Sequence, residues 1–393
     1  MNYIGHRAVH LYGAYDANQV EIFSNGFLDA FKILQAGGTN PLIDQLLAND
    51  SRKPAGMTGS QWLPSSTSPY FSAFNRGSVA EVAYAIAQRT EGGTPLVVKD
   101  GLSPFFFLLY PQFSGAMNVL DSNDFSTYHA LQTTVRRNFT HGLMFQAAYT
   151  WAKSIDTRSF DPTFTRVGRG SSPFSASSTP FDLHNRKLNY APSDFDRTHV
   201  FQAFWVYELP FGHGRSFGSH WNPVIDRILG GWELGGVGII ESGRPTTIYA
   251  LSNTISQVVR TPANCAGCLA DLLQLHFDPT IGTVSYVTPD IKAKFSTPAP
   301  GAFSNVGRNA FRLAGYKTMN LSIGKKTRIT ERQSLETRLE IQNVTNSEEY
   351  DQMASNIITN PAFGNLNPAV LNAFGLSLSS NPRRMQLSVK YNF

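Results

Sequence analysis

The sequence predicts an all-β protein: an antiparallel transmembrane β-barrel segment with long, partly helical extracellular loops. Three observations predict it. Apolar and polar residues alternate in stretches of about ten residues, the length at which a tilted strand crosses a bilayer. Short and long links alternate between these stretches, as turns and loops do on the two sides of a membrane barrel. The chain also ends on such a stretch, in which Met385, Leu387, Val389, Tyr391 and Phe393 alternate with Gln386, Ser388, Lys390 and Asn392.

Composition supports the class. Of 393 residues only 16% are charged and 12% are aromatic, with a net charge of +5. Low charge with many aromatics opposes disorder and suits strands with one apolar and one wet face. The basic doublets Arg136-Arg137, Lys325-Lys326 and Arg383-Arg384 form no stripe, so no nucleic-acid partner is expected. The longest strongly apolar run, Phe105 to Tyr110, is far short of the roughly 20 residues of a spanning helix. The opening "NYIGHRAVHLYG" has no basic segment followed by an apolar core, so no signal peptide is read there.

Residues 1–6 read as the tail of a strand, followed to residue 125 by a long excursion. Phe27, Leu28, Phe31 and Leu34 sit at helical spacing before Gly37, and "NPLIDQLLAN" and "SVAEVAYAIAQR" are further short helices. This excursion reads as loop structure without a core of its own. From 126 to 393 seven strands are expected, at 126–137, 142–152, 198–209, 230–242, 317–326, 333–343 and 383–393. Links 138–141 and 327–332 are short, 210–229 is intermediate, and 153–197, 243–316 and 344–382 are long. With the last residue on the periplasmic side, every long link falls outside. A soluble antiparallel sheet with one wet face has the same period, but no reason to alternate its links.

Matching the ends of the last two strands sets Glu336 opposite Lys390 on the polar, lumen-facing side. A one-residue slip would turn Lys390 to lipid.

The stretches "STYHALQTTVRRNFTHGLMFQAAYTWAKSID" (126–156), "DFDRTHVFQAFWVYELPFG" (194–212), "GGWELGGVGIIESGRPTTI" (230–248), "VGRNAFR" (306–312) and "RLEIQNVTN" (338–346) resemble TonB-dependent outer-membrane receptors. The nearest branch is the Oar-like one, whose members carry a carboxypeptidase-regulatory-like domain; "NQVEIFSNGFLDAFKILQAG" (18–37) is similar to an extracellular segment of that branch. The resemblance implies a 22-strand barrel around a plug, of which these residues would be the C-terminal part. Signal peptide, TonB box and plug would lie in a missing N-terminal part, and TonB would be a partner only through it. It also implies that the barrel-assembly machinery reads the terminal strand, with Met385, Leu387, Val389, Tyr391 and Phe393 as its signal. The plainer reading places Phe393 in an aromatic girdle at the bilayer edge. Outer-membrane lipid and lipopolysaccharide are the remaining expected partners.

No catalytic constellation and no cofactor or metal motif is present. Asp182 with His184, and Asp196 with His199, are the nearest to a catalytic pair, and such pairs are common in polar loops. Cys265 and Cys268 form a CxxC, which can be a redox site, half a zinc site or a disulfide. No second CxxC completes a zinc site, and an outer loop favours the disulfide. Phe160, Phe164, Phe174 and Phe181 could line a ligand vestibule or pack the loop on itself; no substrate-binding residue is assigned. The functions these readings allow are transport of an unidentified nutrient, surface interaction without transport, or a soluble secreted binding protein.

Overall fold

The computed structural model describes residues 1–113, 117–159, 179–279, 282–330, 332–350, 352–366 and 382–393. Eight long strands form one antiparallel sheet in chain order: β1 (Asn2–Asp16), β2 (Asn118–Thr140), β3 (Leu143–Asp156), β4 (His199–Glu208), β5 (Trp232–Glu241), β6 (Tyr316–Arg328), β7 (Ser334–Gln342) and β8 (Arg384–Asn392). Each pairs with its sequence neighbour, so the sheet is a continuous meander. Among the described residues β1 and β8 are paired on one side only, and the sheet does not close.

Period-two patterning sets the two faces. Along β3, β4 and β8 one face carries Phe145, Tyr149, Trp151, Trp205, Phe201, Met385, Leu387 and Val389, in register across the sheet. Many of these apolar side chains are exposed, which suits lipid. The other face carries Gln146, Gln202, Glu233, Arg338, Glu340 and Ser388. Trp205 lies across Gly236, where a Cβ would run into its ring; glycine there lets an aromatic cover the neighbouring strand.

At one end, the turn end, lie two short links and the longer one between β4 and β5. His141 and Gly142 join β2 to β3 with φ of 52° and 78°. Two consecutive positive φ values make the type I′ hairpin that matches strand twist. This places the turn later than the predicted link 138–141. Residues 329–333 join β6 to β7, with the Ile329 N–H donating to the Gln333 carbonyl at 2.9 Å.

At the other end the long links fold into a cap. Residues 17–113 hold α1 (Phe27–Gln35), α2 (Pro41–Leu46), α3 (Gly59–Trp62), α4 (Phe71–Asn75), α5 (Val79–Ala87) and α6 (Leu96–Lys99). These helices bury Phe27, Phe31, Ile43, Trp62, Val79 and Ile86 completely. The segment therefore does own a core, against the sequence reading. Helices α1, α2 and α5 stand where the sequence suggested them, but none exceeds nine residues, so each gains its stability from packing. A second core joins Ile248, Tyr286, Phe311 and Phe363 from the later links, and a third ties Ala14 of β1 to Phe181, Tyr249 and Val259.

The first strand is longer than expected, running to Asp16 where sequence suggested residues 1–6. Its register shifts between Ala8 and Leu11 and again between Leu11 and Gly13, and His10 has φ 58°. These bulges break the alternation that identifies a strand. Strand β2 begins at Asn118, before the expected 126, because its first residues, "NVLDSND", lack clean alternation and pair with the bulged half of β1.

Candidate functional site

The terminal strand presents Met385, Leu387, Val389 and Tyr391 on its exposed apolar face, 49–67% accessible, with Phe393 91% accessible beyond it. β8 pairs with β7 from Ser334–Asn392 to Gln342–Arg384, and among the described residues its other edge is open. An exposed edge with an apolar face is a template for pairing with another strand. The Tyr391 and Phe393 rings lie 6.2 Å apart.

On the opposite face at the turn end lies a cavity of about 950 Å³. Its lining carries Glu208, Glu233, Glu336 and Glu340 among Arg215, Lys326, Arg328, Arg332, Arg338 and Lys390. Strand pairing sets Glu336 directly opposite both Lys326 and Lys390. Lys326 makes the ion pair, at 3.2 Å, and Arg215 pairs with Glu208 at 2.6 Å. Such charges are ordinary facing a wet lumen and costly facing lipid. The arrangement can screen and hold polar or charged groups.

At the cap end, charges from distant links converge. Arg308 is 2% exposed. Its guanidinium donates to the Asn189 carbonyl at 3.1 Å, to Ser159 Oγ at 3.2 Å, to the Asp156 carbonyl at 2.9 Å and to the Asp156 carboxylate, and sits 3.5 Å from Asp194. Asn309, at φ 52°, donates to Asp194 at 2.6 Å and to the Pro192 carbonyl at 2.8 Å. Arg312 pairs with Asp196, whose carboxylate also accepts the Ser154 N–H at 2.6 Å. Arg158 pairs with Asp124 at 2.5 Å. Charged groups taken this far out of water hold only when paired and hydrogen-bonded. The cluster therefore clamps the links 153–197 and 243–316 to the mouth of the sheet. Sequence reading singled out none of these roles. The available signal was the density of charge in "DFDR" and "GRNAFR" within a charge-poor chain.

The other sequence candidates resolve into structural roles. Cys265 and Cys268 are disulfide-bonded within the 243–316 link, with Cys265 buried. The His184 N–H donates to Asp182 at 2.9 Å, a local turn. Asp196 and His199 diverge: the first binds Arg312, whereas His199 Nδ1 is 2.8 Å from Tyr149 Oη on the apolar face. Phe181 is fully buried, 4.9 Å from the Phe303 ring. Phe160, Phe164 and Phe174 lie outside the described residues. Among the described residues no cluster of His, Cys, Asp and Glu could hold a metal ion.

A further charged group stiffens the first link. Asp50 accepts from Arg52 Nε at 2.9 Å and from the Tyr70 hydroxyl at 3.1 Å. Burial pushes the Asp50 carboxyl up, but the hydrogen bonds and charge of Arg52, with the Tyr70 hydroxyl, outweigh it and hold the group below its ordinary value. Burial of Asp100 raises its pKa despite hydrogen bonds from Asn49.

A search of curated proteins finds no match to the chain. The family model described as "Outer membrane beta barrel domain" matches residues 1–386. With the meander, its apolar outer face and its charged inner one, that match establishes the family: the chain belongs to the outer membrane beta-barrel domain family and resides in the bacterial outer membrane.

Proposed function

We propose that these eight strands are the C-terminal arc of a larger TonB-dependent, Oar-like barrel that imports a nutrient. The open sheet carries this reading: among the described residues β1 and β8 each leave one edge unpaired. An edge left open to lipid costs several kcal/mol per unsatisfied group, on the order of the whole stability of a domain over one strand. Further strands relieve that cost and leave the charged inner face lining a wide lumen. The cap is the extracellular side and the turn end the periplasmic one. Outer-leaflet lipopolysaccharide surrounds the cap end, and the assembly machinery engages the open β8 edge. Coupling to TonB requires parts of the barrel other than these strands.

A second reading is favoured by the cap itself. Three buried cores and the Arg308 clamp make it a rigid platform, which suits a surface-binding protein without transport.

Two measurements test the proposal. A Tyr3→Cys, Val389→Cys pair, with Cys265 and Cys268 replaced by Ser, probes the two edges in the native outer membrane. Edges filled by other strands give no oxidative cross-link, whereas efficient intrachain cross-linking would mean the eight strands close alone. Uptake of labelled ferric siderophore, oligosaccharide and peptide pools is then compared with and without the gene. Loss of uptake that a protonophore reproduces supports transport, and surface binding with unchanged uptake favours the second reading.

A further inference from the structure

The link between β4 and β5, residues 209–231, is an ordered structure at the turn end. The Leu209 N–H donates to the Trp232 carbonyl at 2.8 Å, and the Gly212 N–H to the Phe217 carbonyl at 2.9 Å. Phe211 stacks with Trp221, with ring centroids 6.5 Å apart. Helix α7 (Pro223–Leu229) follows, with Asn222 as its N-cap accepting from Val224 and Ile225 at 3.1 and 2.9 Å.

The helix is turned the wrong way for water. Val224, Ile225, Ile228 and Leu229 share one arc of about 140° at 100° per residue, and they are 65, 39, 60 and 48% exposed. The opposite side carries Asp226, whose carboxylate faces the protein and accepts the His213 N–H at 2.6 Å. Gly230 and Gly212 allow that close approach, since a Cβ on Gly230 would lie 2.8 Å from the Asp226 carbonyl. No residue of the helix is buried.

Its C-terminus is tied to the lipid-facing rim. Trp232 and Lys325 are cross-strand partners on the same face as Val389. Trp232 Nε1 donates to the Ile228 carbonyl at 3.1 Å. Lys325 Nζ donates to the Ile228 and Gly230 carbonyls at 2.9 and 2.6 Å, and lies 4.9 Å from the Trp232 ring centre. A Trp and a Lys at that level are typical of a membrane boundary, and a cation suits the last carbonyls of a helix.

We propose that α7 lies in the membrane interface at the turn end, as a foot whose apolar arc sits at the boundary of phospholipid headgroups and acyl chains. The occupant follows from continuity: the arc extends the lipid-facing surface of β5 and β6 beyond Trp232 and Lys325. Its polar side stays against the 209–218 link. Interfacial helices bind by this division of faces. The foot braces the longest link of the turn end against the bilayer. Assignment to the periplasmic leaflet rests on the orientation proposed above; contact with lipid does not.

The test uses the full chain with Cys265→Ser and Cys268→Ser, purified from outer membranes and reconstituted in phosphatidylethanolamine–phosphatidylglycerol vesicles. Nitroxide labels are placed singly at Ile228→Cys and Arg227→Cys, and their collisions with oxygen and with a water-soluble nickel chelate are measured. The ratio of oxygen to nickel collisions should be several-fold higher at 228 than at 227. Equal, water-like ratios at both would overturn the proposal. So would an immobilised label at 228 that neither reagent reaches, because protein would then cover the arc. A thiol at Thr330→Cys, probed with an impermeant reagent on intact cells, reads the orientation separately. Its labelling would move the foot to the outer leaflet without altering the collision result.

Discussion

Glu336 stands directly between two lysines, Lys326 across one strand pair and Lys390 across the other, and its carboxylate is joined to Lys326 at 3.2 Å. The pair expected from sequence alignment of the last two strands is a register contact, while the ion pair lies one strand earlier. Opposite charges facing across strands contribute roughly 0.2–1 kcal/mol, and exposed pairs sit at the low end. Double-mutant cycles on folding into vesicles should therefore couple Glu336→Gln to Lys326→Met more strongly than to Lys390→Met. A larger coupling to Lys390 would mean that the carboxylate turns the other way in the membrane.

The sidedness of the sheet predicts a labelling pattern. In the chain with both native cysteines replaced, Thr359→Cys at the cap end should react with an impermeant thiol reagent on intact cells. Thr330→Cys at the turn end, on the loop after β6, should react only after the outer membrane is opened. The inverse pattern would reverse the orientation while leaving the meander intact.

Acid should loosen the first link of the cap through Asp50. Its folded pKa lies below its unfolded value of about 4. The stability it contributes is thus complete above that unfolded value and is lost as pH falls through the folded one. Asp100 has the opposite sign, because its raised pKa penalises the fold at higher pH and the penalty lifts on protonation. A carboxylate hydrogen-bonded to a charged partner contributes about 1.5–3 kcal/mol. Asp50→Asn should therefore destabilise the cap by that order at pH 7 and by progressively less as pH falls below that unfolded value. Fluorescence of Trp62, whose ring centre is 5.9 Å from that of Tyr70, reports the denaturant transition once the other tryptophans are replaced by Phe. A loss that stays constant down to the lowest pH at which the cap still folds would remove Asp50 from the acid response.

What the sequence disclosed followed from period and length. Strands β7 and β8 were legible to within a residue or two because one face is apolar but for Thr337 and the other polar throughout. Beyond Ala8 in β1 the bulges at His10 and Leu11 scrambled that alternation, and the strand vanished into a presumed loop. The cap core was hidden for another reason: Trp62, Phe74 and Ile86 are gathered from separate one- or two-turn helices, and no local window contains their shared surface. The Arg308 cluster was least legible, since its Asp156 contact spans 152 residues and only the folded chain brings the two together.

Arg308 is the residue whose loss should damage the cap most. Its guanidinium serves Asp156, Asp194, Ser159 and the Asn189 carbonyl at once, at full burial of the side chain. Removing one partner of a buried ion pair costs about 3–5 kcal/mol, because the remaining carboxylates stay dehydrated without compensation. Arg308→Met should therefore release the 153–197 and 243–316 links, seen as new protease cleavage between 243 and 316, while the strands remain assembled and heat-modifiable. Arg308→Lys should rescue little, since an ammonium cannot reproduce a planar fork with five donors. The combined variant Asp156→Asn, Arg308→Met discriminates between loss of a contact and stranding of a charge. It should recover part of the protease resistance that Arg308→Met loses. If the double variant is no more resistant than the single one, the stranded Asp156 carboxylate is not the source of the damage, and the clamp acts through its hydrogen bonds to Asn189 and Ser159 instead.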